Sequence, residues 1–223
     1  AAGGGPVSAE DDLSPLVVSE ADTVVVHSRH VERTVADAGC SADRIVRIPH
    51  GVDGAVFCED GPADAELVAW KGDLPMVLFV GGMVFRKGFD VLVRMALEAT
   101  RRGAKFALCL KAVGHDQHYA GYHMEDLAKR LASIPGAPPV RILDADVSRE
   151  KLASIYRAAD LLVHPYRGEG FGLPVLEAMS SGVPVVCAAS SALPELCGDS
   201  ALQVDPQDVR AMSLALQRAL EDN

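Results

Sequence analysis

Cysteine motifs are missing from this 223-residue sequence. Its five cysteines are an odd number, and no two of them have CxxC spacing. Three of the five, Cys58, Cys109 and Cys187, lie in or beside apolar runs. We therefore expect buried thiols in a reducing cytosol, since this pattern argues against both a disulfide framework and a zinc site.

Basic charge is also scarce. The chain has 21 Lys and Arg against 31 Asp and Glu, which gives a formal net charge of −10. This balance argues against nucleic acid and against an anionic membrane surface as binding partners. It leaves a small anion open as a ligand, because one anion needs only a local basic cluster.

Long apolar runs are absent too. No stretch approaches the roughly 20 apolar residues of a membrane-spanning helix, and no basic-then-apolar signal opens the chain. We therefore expect a cytoplasmic protein. The chain lacks an initiator Met, and its first residues, Ala1 to Pro6, resemble a linker or a cut end. We expect a fragment of a longer protein.

What the sequence does contain is a regular alternation of short aliphatic runs with amphipathic segments. Unbroken aliphatic strands separated by helices predict a parallel sheet covered on both faces, the doubly wound α/β class. Residues 49–75 are rich in Gly, Asp and Pro, which predicts a connection between a first unit at 1–48 and a sheet domain at 76–223. The predicted strands are 23–27, 44–48, 75–80, 105–110, 139–143, 160–164, 183–187 and 201–204, and the longer predicted helices are 28–38, 89–101, 121–133, those starting at Ser148 and Leu173, and 207–220.

Four segments that break the aliphatic pattern each follow one of these strands. They are residues 81–88, 111–115, 144–147 and 165–172. In an open parallel sheet, ligands bind in the crevice beyond the carboxyl ends of the strands. We therefore expect the four segments to line one site.

The most informative segment runs from Glu169 to Glu177. Two glycines let the backbone come close to a ligand, and the N–H groups of Phe171, Gly172 and Leu173 begin a helix and point outward as donors. Two carboxylates flanking such donors suit a polyhydroxylated ligand, since a carboxylate accepts two hydrogen bonds from a vicinal diol. The alternative is that both glutamates merely face water.

A second element is Gly81-Gly82 followed by Arg86-Lys87-Gly88. A glycine pair after a buried strand, with two cations before a helix, is typical of a diphosphate cradle, but equally of a tight turn with helix-flanking cations. Lys111 ends another apolar strand, where it either reaches the phosphates or extends to solvent.

Several histidines are candidates for other roles. The spacing of His115, Asp116, His118 and His123 fits no common zinc-ligand pattern, so we expect a polar loop leading into a helix. His164 ends a strand, and we expect it to pack beside Pro165 and Tyr166 in a structural role.

The segment EGFGLPVLEAMSSGVPVV (169–186) resembles the signature of retaining GT-B glycosyltransferases of family 4, whose two glutamates lie eight positions apart. IPHGVD (48–53) resembles the interdomain segment of that family, and FVGGMVFRKGFDVL (79–92) its phosphate-binding loop. The resemblance covers the chain from about residue 22 to its end. It implies the C-terminal, Rossmann-like half of a GT-B fold, with residues 1–48 as a remnant of the N-terminal domain.

The resemblance also implies a role for each matching residue. Glu177 would bind the ribose hydroxyls of a nucleotide, Glu169 the donor sugar, and Arg86 with Lys87 the leaving diphosphate. The remaining donor-binding positions would be Gly81, Gly82, Lys111, Val147 beside the nucleobase, Tyr166, Gly170, Phe171, Gly172 and Leu173. The implied reaction is transfer of a sugar from a nucleotide-diphosphate sugar to a hydroxyl acceptor (a glycan, a lipid or a small molecule), with no metal or other cofactor.

Two departures from the family pattern are visible. Gly82 stands where the family usually has Arg, and Arg86 is the candidate to supply that charge. Ser190-Ser191-Ala192 replaces the usual Gly-Gly before the last Pro-Glu.

Most of the acceptor-side domain is absent from the chain, and attachment at a membrane would come only through that domain. A non-catalytic nucleotide-binding module, a purely structural partner domain and a GT-B nucleotide-sugar epimerase stay open as alternatives.

Overall fold

The computed structural model describes residues 20–82, 84–112 and 131–222. Contacts divide the chain between His50 and Gly51 into two compact units. The first contains the parallel strands β1 (Val24–Val26) and β2 (Ile45–Arg47), with helix α1 (Arg29–Asp37) between them. Ser28 caps α1 by accepting a hydrogen bond from the Val31 N–H, as the sequence predicts.

The described part of the second unit contains a six-stranded parallel sheet with the order β5-β4-β3-β6-β7-β8. Its strands are β3 (Met76–Val80), β4 (Ala107–Lys111), β5 (Val140–Leu143), β6 (Leu161–His164), β7 (Val185–Ala188) and β8 (Leu202–Val204). The helices described with it are α2 (Ala65–Lys71), α3 (Phe89–Arg101), α4 (Arg149–Ala158), α5 (Leu173–Ser180), α6 (Leu193–Cys197) and α7 (Val209–Glu221).

The central strand β3 buries side chains on both of its faces. Val77 and Phe79 lie in one apolar cluster with residues of α3 and α7. Met76 and Leu78 lie in the other, with residues of α4 and α5. Successive residues of a strand point to opposite faces, so an unbroken aliphatic strand needs helices on both sides. The predicted doubly wound α/β class is confirmed.

The connection after the first unit packs onto the second. Phe57 and Leu67, from the loop and from α2, are buried in the same cluster as Met76. Arg157 of α4 donates to the backbone oxygens of Val56, Cys58 and Pro62. The segment 51–75 is therefore an integral part of the unit that contains the six-stranded sheet.

The strand order changes direction between β3 and β6. The chain leaves β3 for β4 and then β5 on one side, and returns to β6 on the other side of β3. The loops after β3 and β6 consequently leave neighbouring strands in opposite directions, which opens a crevice at their carboxyl ends. Most of the predicted helix 121–133 lies outside the described residues.

All five cysteines are free thiols. Cys109 and Cys187 are buried as expected, whereas Cys58 is partly exposed and its thiol donates to the Asp60 carbonyl oxygen. None of the helices in the described ranges combines the length and the apolarity that crossing a bilayer requires.

Candidate functional site

Two loops meet at the crevice beside β3: the glycine-pair loop (residues 81–88) and the Glu169 loop (residues 165–172). The Arg167 N–H donates to the Arg86 carbonyl oxygen at 2.8 Å, and the Arg86 guanidinium donates to the Gly168 carbonyl oxygen at 2.6 Å. Gly88 has φ +65°, and a Cβ there would lie 2.0 Å from the Pro165 carbonyl oxygen. Only glycine permits so close a contact between the two backbones.

The side chain of Arg167 ties the Glu169 loop to the start of α3. Its guanidinium donates to both carboxylate oxygens of Asp90, at 2.7 and 2.8 Å, and to the Phe85 carbonyl oxygen at 2.8 Å. It also lies 4.0 Å from the centre of the Phe85 ring. Arg167 was not among the residues predicted from the sequence. An arginine inside a glycine-rich, strand-end segment was the available signal.

Backbone contacts from the turn after β7 hold Glu169 in place. The Glu169 N–H donates to Ser191 Oγ at 2.9 Å, and Ser190 Oγ donates to the Tyr166 carbonyl oxygen at 2.8 Å. Ser191 has φ +53°, a backbone conformation that favours glycine. Ser190 and Ser191, which depart from the family pattern, therefore add two side-chain contacts to the loop. Ser191 does so from a backbone conformation typical of glycine.

The carboxylate of Glu169 is one-fifth exposed, and its Oε1 accepts a hydrogen bond from the Gly170 N–H at 3.0 Å. Helix α5 begins two residues further on, after Gly172. Leu173 presents the first N–H group of the helix toward a ligand, since Pro174 has no N–H and the Val175 N–H already donates to the Gly172 carbonyl oxygen at 3.0 Å. Glu169 and the start of α5 therefore lie next to each other at the crevice.

Glu177 lies inside α5 and hydrogen-bonds to a tyrosine. The hydroxyl of Tyr156, a fully buried residue of α4, donates to Glu177 Oε2 at 2.8 Å. Burial raises the pKa of the Glu177 carboxyl, while the Tyr156 hydrogen bond and the Arg149 charge lower it. Tyr156 was not among the residues predicted from the sequence, because it occupies a helix position typical of the core.

Lys87 is the more enclosed of the two loop cations. Its Nζ lies 5.3 Å from the centre of the Tyr166 ring, and Tyr166 is fixed because its hydroxyl donates to the Val80 carbonyl oxygen at 2.6 Å. Burial and the neighbouring Arg86 lower the pKa of Lys87, whereas the Glu169 charge raises it. Arg86 is exposed at the rim.

His164, at the end of β6, lies below these groups and is fully buried. Its Nε2 lies 3.9 Å from Glu169 Oε2. Burial and then the Lys87 charge lower the pKa of His164 to about 3. The imidazole is therefore neutral near pH 7, and its contact with Glu169 is not an ion pair.

Two further predicted positions, Lys111 and Val147, lie at and after the ends of β4 and β5. The Lys111 ammonium is buried and donates to the carbonyl oxygens of Ala112 at 3.2 Å and Ala145 at 3.0 Å. It therefore does not extend into solvent, because these carbonyl oxygens hold it between the ends of β4 and β5. Val147 is half-buried against the cluster that contains Met76.

Within the described ranges, no group of His, Cys, Asp and Glu side chains has the arrangement of a metal site. The histidine-rich candidates His115, Asp116, His118 and His123 lie outside the described residues.

A family model and several curated proteins match this chain. A family model described as glycosyl transferases group 1 matches residues 74–222. The chain is 33% identical over 220 residues to the D-inositol 3-phosphate glycosyltransferase of Acidothermus cellulolyticus, covering 92% of the chain and 48% of that protein. It is 51% identical over 157 residues to the O-antigen chain mannosyltransferase B of Escherichia coli, covering 70% of the chain and 39% of that protein.

Among solved structures, the sucrose-phosphate synthase of Thermosynechococcus elongatus is 28% identical with a TM-score of 0.75, covering 94% of this chain and 52% of that one. The chain thus spans about half or less of the length of the proteins that it matches.

Proposed function

The chain belongs to the group 1 glycosyl transferases, because that family's model matches more than half of its length, and on this premise we propose that residues 76–223 bind a nucleotide-diphosphate sugar for retaining transfer of the sugar to a hydroxyl acceptor. The resemblance to GT-B glycosyltransferases is thereby confirmed. The observation that carries the proposal is the meeting of the glycine-pair loop, the Glu169 loop and the start of α5 at the switch point of the sheet. The family match favours transfer over the epimerase and the non-catalytic module.

Glu177 is proposed to bind the ribose of the nucleotide. An ionised carboxylate has about four lone-pair sites, and Tyr156 occupies one of them on Oε2. Oε1 accepts no hydrogen bond from any residue that the structure describes. The two oxygens together can therefore still accept both hydroxyls of a vicinal diol.

The diphosphate is proposed to lie between the start of α5 and the cations of the glycine-pair loop. The helix N-terminus presents donors and a partial positive charge, and Arg86 and Lys87 add two full charges. The negative charge that develops on the leaving diphosphate would be stabilised there without a metal ion. Lys87 is the better placed of the two, since its half-buried ammonium is less screened by solvent.

Glu169 is proposed to bind hydroxyls of the donor sugar. Its backbone is fixed by Ser191, and its carboxylate keeps some exposure at the crevice. The acceptor is proposed to be a hydroxyl compound, namely a glycan, a lipid or a small molecule.

Titration calorimetry of the chain with UDP, GDP and ADP tests this proposal. We expect one of the three to bind, and the same nucleoside without phosphates to bind much more weakly. Failure of all three to bind would contradict the proposal.

A further inference from the structure

His164 is a buried polar side chain without a hydrogen-bond partner among the described residues. Its exposure is 0%, and neither Nδ1 nor Nε2 makes a hydrogen bond there. Buried polar groups are nearly always paired, because leaving one unpaired destabilises the folded state. A phenylalanine or leucine would fill such a position without that cost, so the presence of an imidazole needs an explanation.

The ring is held in a fixed orientation beside Glu169. It stacks on Tyr166 with ring centres 3.6 Å apart and planes 21° apart, and Tyr166 is itself fixed by its hydrogen bond to the Val80 carbonyl oxygen. This places Nε2 at 3.9 Å from Glu169 Oε2. Glu169 Oε1 accepts from the Gly170 N–H, so Oε2 is the oxygen that faces the imidazole.

The His164 imidazole and the Glu169 carboxylate are complementary as hydrogen-bond donor and acceptor. A neutral imidazole carries one N–H and one acceptor nitrogen, whereas an ionised carboxylate only accepts. Proximity to Glu169 therefore favours the tautomer with the proton on Nε2. Shortening the contact by about 1 Å would give a normal N–H···O hydrogen bond.

We propose that His164 is a positioning residue: its Nε2–H donates to Glu169 Oε2 when the donor sugar is bound, and so orients that carboxylate toward the sugar hydroxyls. This inference rests on the proposed function, because it assigns the sugar to Glu169. It replaces the purely structural role that the sequence suggests for His164. The nucleotide, which is assigned to Glu177 and the loop cations, should not depend on it.

Three variants separate positioning from packing. His164→Phe keeps a planar ring against Tyr166 and removes both nitrogens. His164→Gln keeps an N–H donor near the position of Nε2. His164→Leu repeats the test with a smaller apolar group if phenylalanine does not fit. Each is titrated with UDP, GDP and ADP, and with UDP-glucose, GDP-mannose and ADP-glucose, and its Tm is measured.

In the apolar variants we expect the nucleotide sugar to bind about tenfold more weakly, the ratio that corresponds to one hydrogen bond to a charged group. The nucleoside diphosphate should bind as in the native chain, the Tm should be unchanged or higher, and His164→Gln should restore most of the lost affinity. In a Glu169→Ala background, His164→Phe should cause no further loss.

The inference is overturned if the apolar variants bind the nucleotide sugar as well as the native chain does. It is also overturned if sugar-linked and free diphosphates weaken together, or if the loss persists undiminished in the Glu169→Ala background. A native chain that binds no nucleoside diphosphate would instead overturn the proposed function, and this inference with it.

Discussion

The hydroxyl of Tyr156 donates a 2.8 Å hydrogen bond to Oε2 of Glu177, linking α4 to α5 beneath the crevice. Tyr156 is fully buried and packs edge-on against Phe57, so its hydroxyl is fixed. The bond offsets part of the cost of burying a carboxylate, because it stabilises the charged form. It thereby keeps Glu177 able to accept hydrogen bonds from a ligand.

Tyr156→Phe tests that link through pH. Removing the hydroxyl takes away an interaction that lowers the pKa of Glu177, so the carboxyl should become protonated at a higher pH than in the native chain. We expect nucleotide binding to weaken by about 1 kcal/mol at pH 8, and by more as the pH falls toward 5.5. Calorimetric titrations across this range give the measurement.

Phe57→Leu is the control for Tyr156→Phe, since it disturbs the packing of the tyrosine ring and leaves the hydroxyl in place. It should lower stability without changing the pH dependence of binding. A loss in Tyr156→Phe that is the same at every pH would contradict the assigned role of the hydroxyl.

The ionised carboxylate of Glu177, which is proposed to bind the ribose, should lower the stability of the fold at neutral pH. Burial raises its pKa in the folded state, so its contribution to stability is fully present below the unfolded-state pKa and is lost as the pH rises through the folded-state pKa. Glu177→Gln, which stays neutral, should therefore be more stable than the native chain at pH 7 but not at pH 4. Urea unfolding at both pH values checks this, with the exposed Glu221→Gln as the neutral control.

Glu177→Ala should weaken nucleotide binding by about 1.5–3 kcal/mol, the usual contribution of hydrogen bonds to a charged group. Calorimetry on the folded variant measures this. An unchanged affinity would remove Glu177 from the ribose site.

Arg86 and Lys87 should contribute to the binding of the phosphates and not to the binding of the nucleoside. Replacing Arg86 and Lys87 together by alanine should weaken the nucleoside diphosphate by about 2 kcal/mol and leave the nucleoside unaffected. Arg101→Ala with Lys105→Ala is the matched control, because both cations are exposed and lie about 20 Å along the axis of α3, Arg101 as its last residue and Lys105 in the loop that follows. Equal losses for nucleoside and diphosphate would exclude the proposed contact.

Gly88 should be essential for the contact between the two loops. Gly88→Ala places a Cβ at 2.0 Å from the Pro165 carbonyl oxygen, in addition to the cost of about 1–2 kcal/mol for a positive φ. Gly103 also has a positive φ, +94°, but a Cβ there meets nothing within 4 Å. Chemical denaturation should show a larger loss of unfolding free energy for Gly88→Ala than for Gly103→Ala, and equal losses would be inconsistent with the close contact.

The sequence predicted the elements that local chemistry determines. The aliphatic runs became β3 to β8, and Ser28 and Ser148 cap the helices expected of them. Because parallel strands bring their carboxyl ends to one edge, the meeting of the Arg86 and Glu169 segments could also be predicted.

Contacts between distant side chains could not be predicted in this way. Tyr156 and Glu177 lie on different helices separated by a strand, so their hydrogen bond depends on how α4 and α5 pack. Lys111 was placed by two backbone carbonyl oxygens that no spacing identifies. The positive φ of Ser191 follows from the turn that it occupies, and serine alone gives no sign of it.

A crystal structure of the chain with a bound nucleoside diphosphate tests the central claim most directly. The account predicts that the ribose lies against Glu177 and that the diphosphate lies between the start of α5 and Lys87. A nucleotide bound elsewhere on the sheet-bearing unit, or no bound nucleotide at saturating concentration, would contradict it.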